Sequence, residues 1–196
     1  MHNDPAATPE KSVKRLILDT ALDLFTANGY FNTSVHHIQK NAGISIGSIY
    51  HHFNSKEAIA KAIYDELIDQ MSHAVLSIMK DHDSTKDRCF AVISYLFDLT
   101  AHDPQKMNYM LHANHREFIP DQKPVCSSVP FEMIANMIPQ GMNAGEIKAM
   151  DPIAASVCIF GPALRLIHLK LDGVLAKPLS AYFDEIWSAI WEGVAA

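Results

Sequence analysis

Cysteine is scarce in this 196-residue chain: Cys89, Cys126 and Cys158 stand far apart, and no CxxC pair occurs. That spacing argues against a disulfide scaffold or a thiolate zinc site and makes a reducing compartment the expectation. Glycine is sparse too, with 8 residues beside 10 prolines, which excludes collagen-like and low-complexity classes. The chain opens without an apolar run and cleavage site, so no secretory leader is expected. The longest apolar stretch, from Pro152 to Leu164, is ended by Arg165 before the roughly 20 residues that a bilayer requires. No membrane partner is therefore expected, and the expected location is the cytoplasm. A Ser–His–Asp order, a catalytic carboxylate pair and a phosphate loop are also missing, so neither an enzyme nor a cofactor is expected.

What is present is a composition that folds: 48% hydrophobic and 19% charged residues. The length suffices for one large or two small domains, each with its own core. Net charge is −6, which seen alone disfavours a polyanionic partner. Its distribution says more. Residues 1–56 hold five basic and four acidic side chains, a net charge of +1, whereas 57–196 hold eleven basic and eighteen acidic, a net −7. Five of the eleven histidines (His2, His36, His37, His51, His52) also lie in the first segment. Only that segment can approach nucleic acid without strong repulsion.

Apolar spacing reads as helix almost throughout, and the expected fold class is all-α. Val13, Leu16, Ile17, Ala21, Leu24 and Phe25 recur at three- and four-residue intervals, between a Thr8-Pro9 start and a Gly29 stop. Short helices follow at about Val35–Asn41 and after Ser45, and Asn54 with Glu57 has capping-box spacing before a long helix. Further helices are expected near 88–100, 104–117, 129–142, 152–172 and 178–194, with a surface loop at 119–128. The 152–172 helix is apolar nearly all round and is expected to be buried on more than one side, with a kink at Gly161-Pro162.

The stretch TSVHHIQKNAGISIGSIYHHFNSKE, residues 33–57, carries the functional information. Two short helices joined by a tight turn at Gly43 form a helix-turn-helix pattern. Gly43 supplies the positive φ that such a turn demands. Ile38, Ile44, Ile49 and Phe53 supply apolar faces that lock the pair onto the first helix. Small residues on the second helix, Ser45, Gly47 and Ser48, let its backbone come close to another surface. Free amides at helix starts bind phosphate without charged side chains, which offsets the low basic count.

Residues 10–60 resemble the DNA-binding domain of the tetracycline-repressor (TetR) family of bacterial one-component regulators. The resemblance rests on Gly29-Tyr30, Thr33-Ser34-Val35, Ala42-Gly43-Ile44-Ser45 and the run from Gly47 to Glu57. It implies a three-helix reading head at 1–56 and a helical effector-binding and dimerisation domain at 57–196. Thr33 and Ser34 would contact phosphate; Ser45, Ile46, Gly47, Ser48 and His51 would face the major groove; Tyr50, His52 and Lys56 would grip the backbone. Gln39 departs from the family, which places a small residue four before the turn glycine.

The expected partners are a double-stranded DNA operator, a second copy of the chain and a small, largely apolar effector, whose binding would release a repressor from its operator. Candidate pocket residues on the middle helices are Phe97, Met110, Asn114, Met133 and Met137. Phe160, Leu164, Arg165 and His168 are the candidates on the apolar helix. The candidate dimer face is Phe160, Ile167, Phe183, Ile186, Trp187, Ile190 and Trp191. Methionines and aromatics at helical spacing are equally ordinary core residues, and His112 with His115 reads as a polar face, so no metal site is expected. The alternative is a DNA-bound interaction protein on the same scaffold that needs no effector.

Overall fold

The computed structural model describes residues 9–112, 117–119 and 127–196. Among them are nine α-helices: α1 Pro9–Asn28, α2 Val35–Ala42, α3 Ile46–His52, α4 Lys56–Asp81, α5 Thr85–His102, α6 Pro104–His112, α7 Val129–Asn143, α8 Pro152–Leu171 and α9 Phe183–Val194. The described residues form no strand, only a single bridge between Ile147 and Ala195. The all-α expectation holds. Thr8, His115, Asn114, Cys126 and most of the anticipated 119–128 loop lie outside the described residues.

Helix boundaries follow from side-chain caps. Ser34 is extended and accepts the His37 N–H, while the His37 ring nitrogen Nδ1 accepts the Ser34 N–H, a reciprocal box with histidine in the usual Glu/Gln position. Gly43, at φ 66°, ends α2 by donating its N–H to Gln39 O. Ser45 then caps α3 by accepting from Ser48 N. For α4 the cap is Ser55, which accepts from Ala58 N, one residue beyond the expected Asn54. Glu57 is thereby released from the box and accepts a hydrogen bond from the Tyr30 hydroxyl instead.

The chain divides into two compact units. The first comprises the described residues of Met1–Leu67 and Asn108–Lys123, the second those of Ile68–Met107 and Pro124–Ala196. The division thus falls inside α4 and inside α6, whereas the sequence placed it at residue 56, where α4 begins. In the first unit, Ile17, Ala21, Ile38, Ile49, Ile59 and Ala60 are fully buried. Each isoleucine contributes roughly 1.5–3 kcal/mol by leaving water.

In the second unit α5, α7, α8 and α9 bury Val92, Ile93, Met137, Ile138, Ile159, Ala163 and Ile167. Gly141 permits the close approach of α7 to α5, since a Cβ there would stand 2.7 Å from Thr85 Cγ2. Glu146 ties the same corner, accepting from the backbone N–H groups of Thr85 (2.9 Å) and Lys86 (3.1 Å) at the start of α5. Burial pushes the Glu146 carboxyl up, but those two amides outweigh it and hold the group below its ordinary value. Its stabilisation is therefore complete above the unfolded value of about 4.3 and is lost as pH falls through the lower folded value. Glu146→Gln is expected to lower the melting temperature at pH 7, with a difference from wild type that shrinks steadily below about pH 4. A pH series of thermal melts checks this; a constant difference would contradict it.

The apolar helix α8 departs from expectation. Its buried residues, Ala155, Ile159, Phe160, Ala163 and Ile167, form one stripe, and Ile153 and Val157 are 75% and 63% exposed. Burial on more than one side does not occur within the chain. The helix runs on past Pro162 and Arg165, so by length and composition alone its 20 residues could cross a membrane, with mean hydropathy 1.5.

Candidate functional site

The reading head presents α3 on its surface. Ile49 is fully buried against the first unit's core, and Phe53 is nearly so. With Ile49 turned inward, Ser45, Gly47, Tyr50 and His51 are exposed, and Ile46, Ser48 and His52 are half-buried. Tyr50 is 52% exposed, unusually open for an aromatic ring. Gly47 has only the Ser45 hydroxyl within 3.7 Å of a notional Cβ, so its face is flat and open. The Ser45 and Ser48 hydroxyls lie 2.8 Å apart, and the His51 and His52 rings meet edge to face at 5.1 Å. Hydroxyls, ring nitrogens and an open phenol on one narrow helix are donors and acceptors of the kind that read base edges. Every groove-facing candidate named from sequence is thus on α3 or its cap.

Two candidates do other work. Thr33 is buried, and its hydroxyl lies 3.2 Å from Leu24 O and 3.0 Å from Gly29 O. It fastens the loop after α1 and has no surface to offer phosphate; Ser34, beside it, is exposed. Lys56 spends two of its three donors on Tyr30 O (2.9 Å) and Thr33 O (2.8 Å), with its ammonium 3.9 Å from the Tyr30 ring centre. Burial lowers its pKa, and Glu57 opposes that shift. Lys56 is an internal tie of the head. The long Gln39 side chain, which departs from the family pattern, also acts locally: Nε2 donates to Ile44 O at 2.8 Å across the α2–α3 turn.

Tyr30 is the centre of this support. Its hydroxyl donates to Glu57 at 2.9 Å, and burial, followed by that carboxylate, raises its pKa. Its ring stacks on Phe118 at 3.9 Å and tilts against Phe25 at 5.3 Å. Tyr109, also stacked on Phe25, donates to Ala60 O at 3.1 Å. The aromatic residues of 108–119 are therefore part of the head, a placement that no spacing along the chain signals.

The second unit holds an apolar cavity of about 230 Å³ between α5, α7 and α8. Val92, Leu96, Phe131, Ile134, Phe160 and Leu164 wall it, and Ser156 is the polar side chain in its lining. Of the candidate pocket residues only Phe160 and Leu164 line it. Phe97 is buried against the Phe183 ring (5.6 Å), Met137 is fully buried core, and Met110 is buried in the other unit. Met133 and His168 are half-buried, with His168 Nδ1 2.7 Å from Leu164 O, and Arg165 is exposed. Asn114 lies outside the described residues. Helical spacing marks these residues as inward but does not say which inward face meets a void.

The residues of the expected dimer face divide between core and surface. Phe160, Ile167, Trp187 and Ile190 are buried within the chain. Phe183 and Trp187 pack edge to face on Phe90 at 4.7 and 5.4 Å, and Trp191 stacks on Trp187 at 5.5 Å. Of the named residues Ile186 and Ile190 line an open groove between α8 and α9, shared with Cys158, Pro162, Ala189, Gly193 and Val194. Among the described residues no group of His, Cys, Asp and Glu could hold a metal ion.

Comparison with known proteins agrees with this geometry. Residues 17–63 match the family described as bacterial regulatory proteins, tetR family. The fatty acid metabolism regulator protein of Bacillus subtilis (strain 168) is 27% identical over 156 residues, spanning 74% of this chain and 76% of that one. A TetR family transcription regulator from Marinobacter aquaeolei VT8 has the same fold, with TM-score 0.76 at 20% identity over 95% of this chain and 97% of that one. FadR from Bacillus subtilis, solved in complex with stearoyl-CoA, also gives TM-score 0.76, at 24% identity over 91% of this chain and 98% of that one. Residues 17–63 thus resemble the tetR family of bacterial regulatory proteins, and the chain shares the fold of these solved regulators.

Proposed function

We propose that the protein is a cytoplasmic, homodimeric repressor that a small, largely apolar molecule releases from its operator. The observation that carries this reading is the 230 Å³ cavity in the unit that does not hold α3, walled by hydrocarbon with Ser156 as its polar group. An open apolar pocket of that kind gains free energy when an apolar group leaves water to fill it. The related regulator solved with stearoyl-CoA makes a fatty acyl chain the first chemistry to test. For the dimer, the support is the open apolar groove between α8 and α9 together with the exposed Ile153 and Val157 on α8. Two heads so joined would present their α3 helices to half-sites roughly 34–36 Å apart. The ligand acts only through its unequal affinity for the DNA-competent and DNA-incompetent arrangements.

The test is a titration with acyl-CoAs of graded chain length, read both by thermal melting and by release of a fluorescent duplex recovered by selection from a random library. Saturation to 100 times Kd is expected to add about 2.7 kcal/mol of stability and to release the duplex over the same concentration range. Stabilisation without release would contradict the regulatory part of the reading. Absence of both across the series would contradict an acyl effector.

A further inference from the structure

The head must supply phosphate contacts from very few cations, and the geometry points to Lys14 on α1 as the one that does so beside α3; this rests on the DNA-binding reading of the head. Arg15 is held by Asp19 and Glu66, Lys61 by Asp65, and Lys56 by the carbonyls of Tyr30 and Thr33. Among the described side chains of this unit, Lys14 and Lys40 have no hydrogen bond or ion pair. Lys40 makes no ring contact with α3. Lys14 does adjoin it: its ammonium stands 5.8 Å from the centre of the Phe53 ring, the residue that ends α3, and the Phe53 ring lies 6.5 Å from that of His52.

Groove dimensions make that position matter. A seven-residue helix is roughly 10 Å long, and the major groove is about 12 Å wide. With α3 in the groove, both of its ends come next to the phosphates that border it. At its C-terminal end stand Lys14, His51 and His52, and Lys14 carries the formal positive charge. The open side chain of Lys14 is thus placed to take the electrostatic role that the sequence assigned to Lys56. Residues 1–56 carry a net charge of only +1, so loss of one exposed lysine removes the whole surplus.

Salt dependence of binding to the library-selected duplex tests this, because a structural role would leave the slope of log K against log salt unchanged. Lys14→Ala is expected to reduce that slope by about 0.9 per head and to weaken binding on the order of five-fold per head at 0.15 M salt. Lys14→Arg should restore both, and Lys80→Ala, at an exposed position on the last turn of α4, should match wild type. An unchanged slope in Lys14→Ala, or an equal loss in Lys80→Ala, overturns the assignment. Failure of the wild-type protein to bind duplex in a salt-dependent way would instead overturn the DNA-binding reading, and this inference with it.

Discussion

Ile49→Ala is expected to cost the reading head 2–5 kcal/mol and, with it, nearly all affinity for DNA. Ile49 is the fully buried side chain of α3, and it alone among the residues of that seven-residue helix reaches the core. A helix so short has no stability of its own in water. Truncating its anchor leaves a cavity, and the neighbouring caps at Ser45 and Phe53 cannot hold the helix in place of that contact. Total domain stability is only 5–15 kcal/mol, so a loss of this size populates the unfolded head substantially. Because the second unit has a separate core, calorimetry should show one transition moved to lower temperature and the other retained. An unchanged melt together with unchanged duplex affinity would show that α3 is not anchored in this way.

Trp187→Ala is expected to cost 3–5 kcal/mol in the second unit, whatever the protein concentration. Trp187 is buried, receives the Phe90 ring edge to face and stacks on Trp191. Aromatic pairs of this geometry contribute about 0.5–1.5 kcal/mol beyond their buried area, so the substitution removes both a large volume and two specific contacts. Thermal melts over a hundred-fold range of concentration distinguish core from interface. A drop of equal size at every concentration fits the intramolecular packing. A loss of association with the protomer's own stability intact would return Trp187 to the dimer face.

The fold was legible because its signals are local. Apolar spacing, the Ser34 and Ser45 caps and the Gly43 turn each act within a few residues, and the helices appear where those signals put them. The exposed face of α3 was legible for the same reason: once Ile49 points inward, the outward directions of Ser45, Gly47, Tyr50 and His51 follow from the helical period. What was illegible depends on contacts between distant residues. Thr33 looks like a phosphate-binding hydroxyl until Leu24 and Gly29 are seen to claim it. Lys56 looks like a free cation until the Tyr30 and Thr33 carbonyls are placed around it. Aromatic residues on α9 read as surplus apolar surface, whereas Phe90 on α5 had already been matched to them. Gln39 shows the converse, a departure from the family pattern that the turn itself absorbs.

The corrections share a physical pattern. Spacing along one helix reports which side is apolar, but the partner of that side is set by packing in three dimensions. The cavity is the clearest instance, since Phe160 and Leu164 line it while Met137, on an equally apolar face, fills the core.

The most direct measurement concerns Gly47. A Cβ there would stand 3.7 Å from the Ser45 hydroxyl and Gly47 is exposed, so the indole of Gly47→Trp can extend outward and the protein should fold and melt like wild type. If α3 lies against the base edges, the indole occupies the space of the DNA, and binding to the library-selected duplex should fall at least to the level of a scrambled duplex, a loss of about 10³-fold or more. A folded Gly47→Trp protein that binds that duplex as tightly as wild type would mean that another surface meets the nucleic acid.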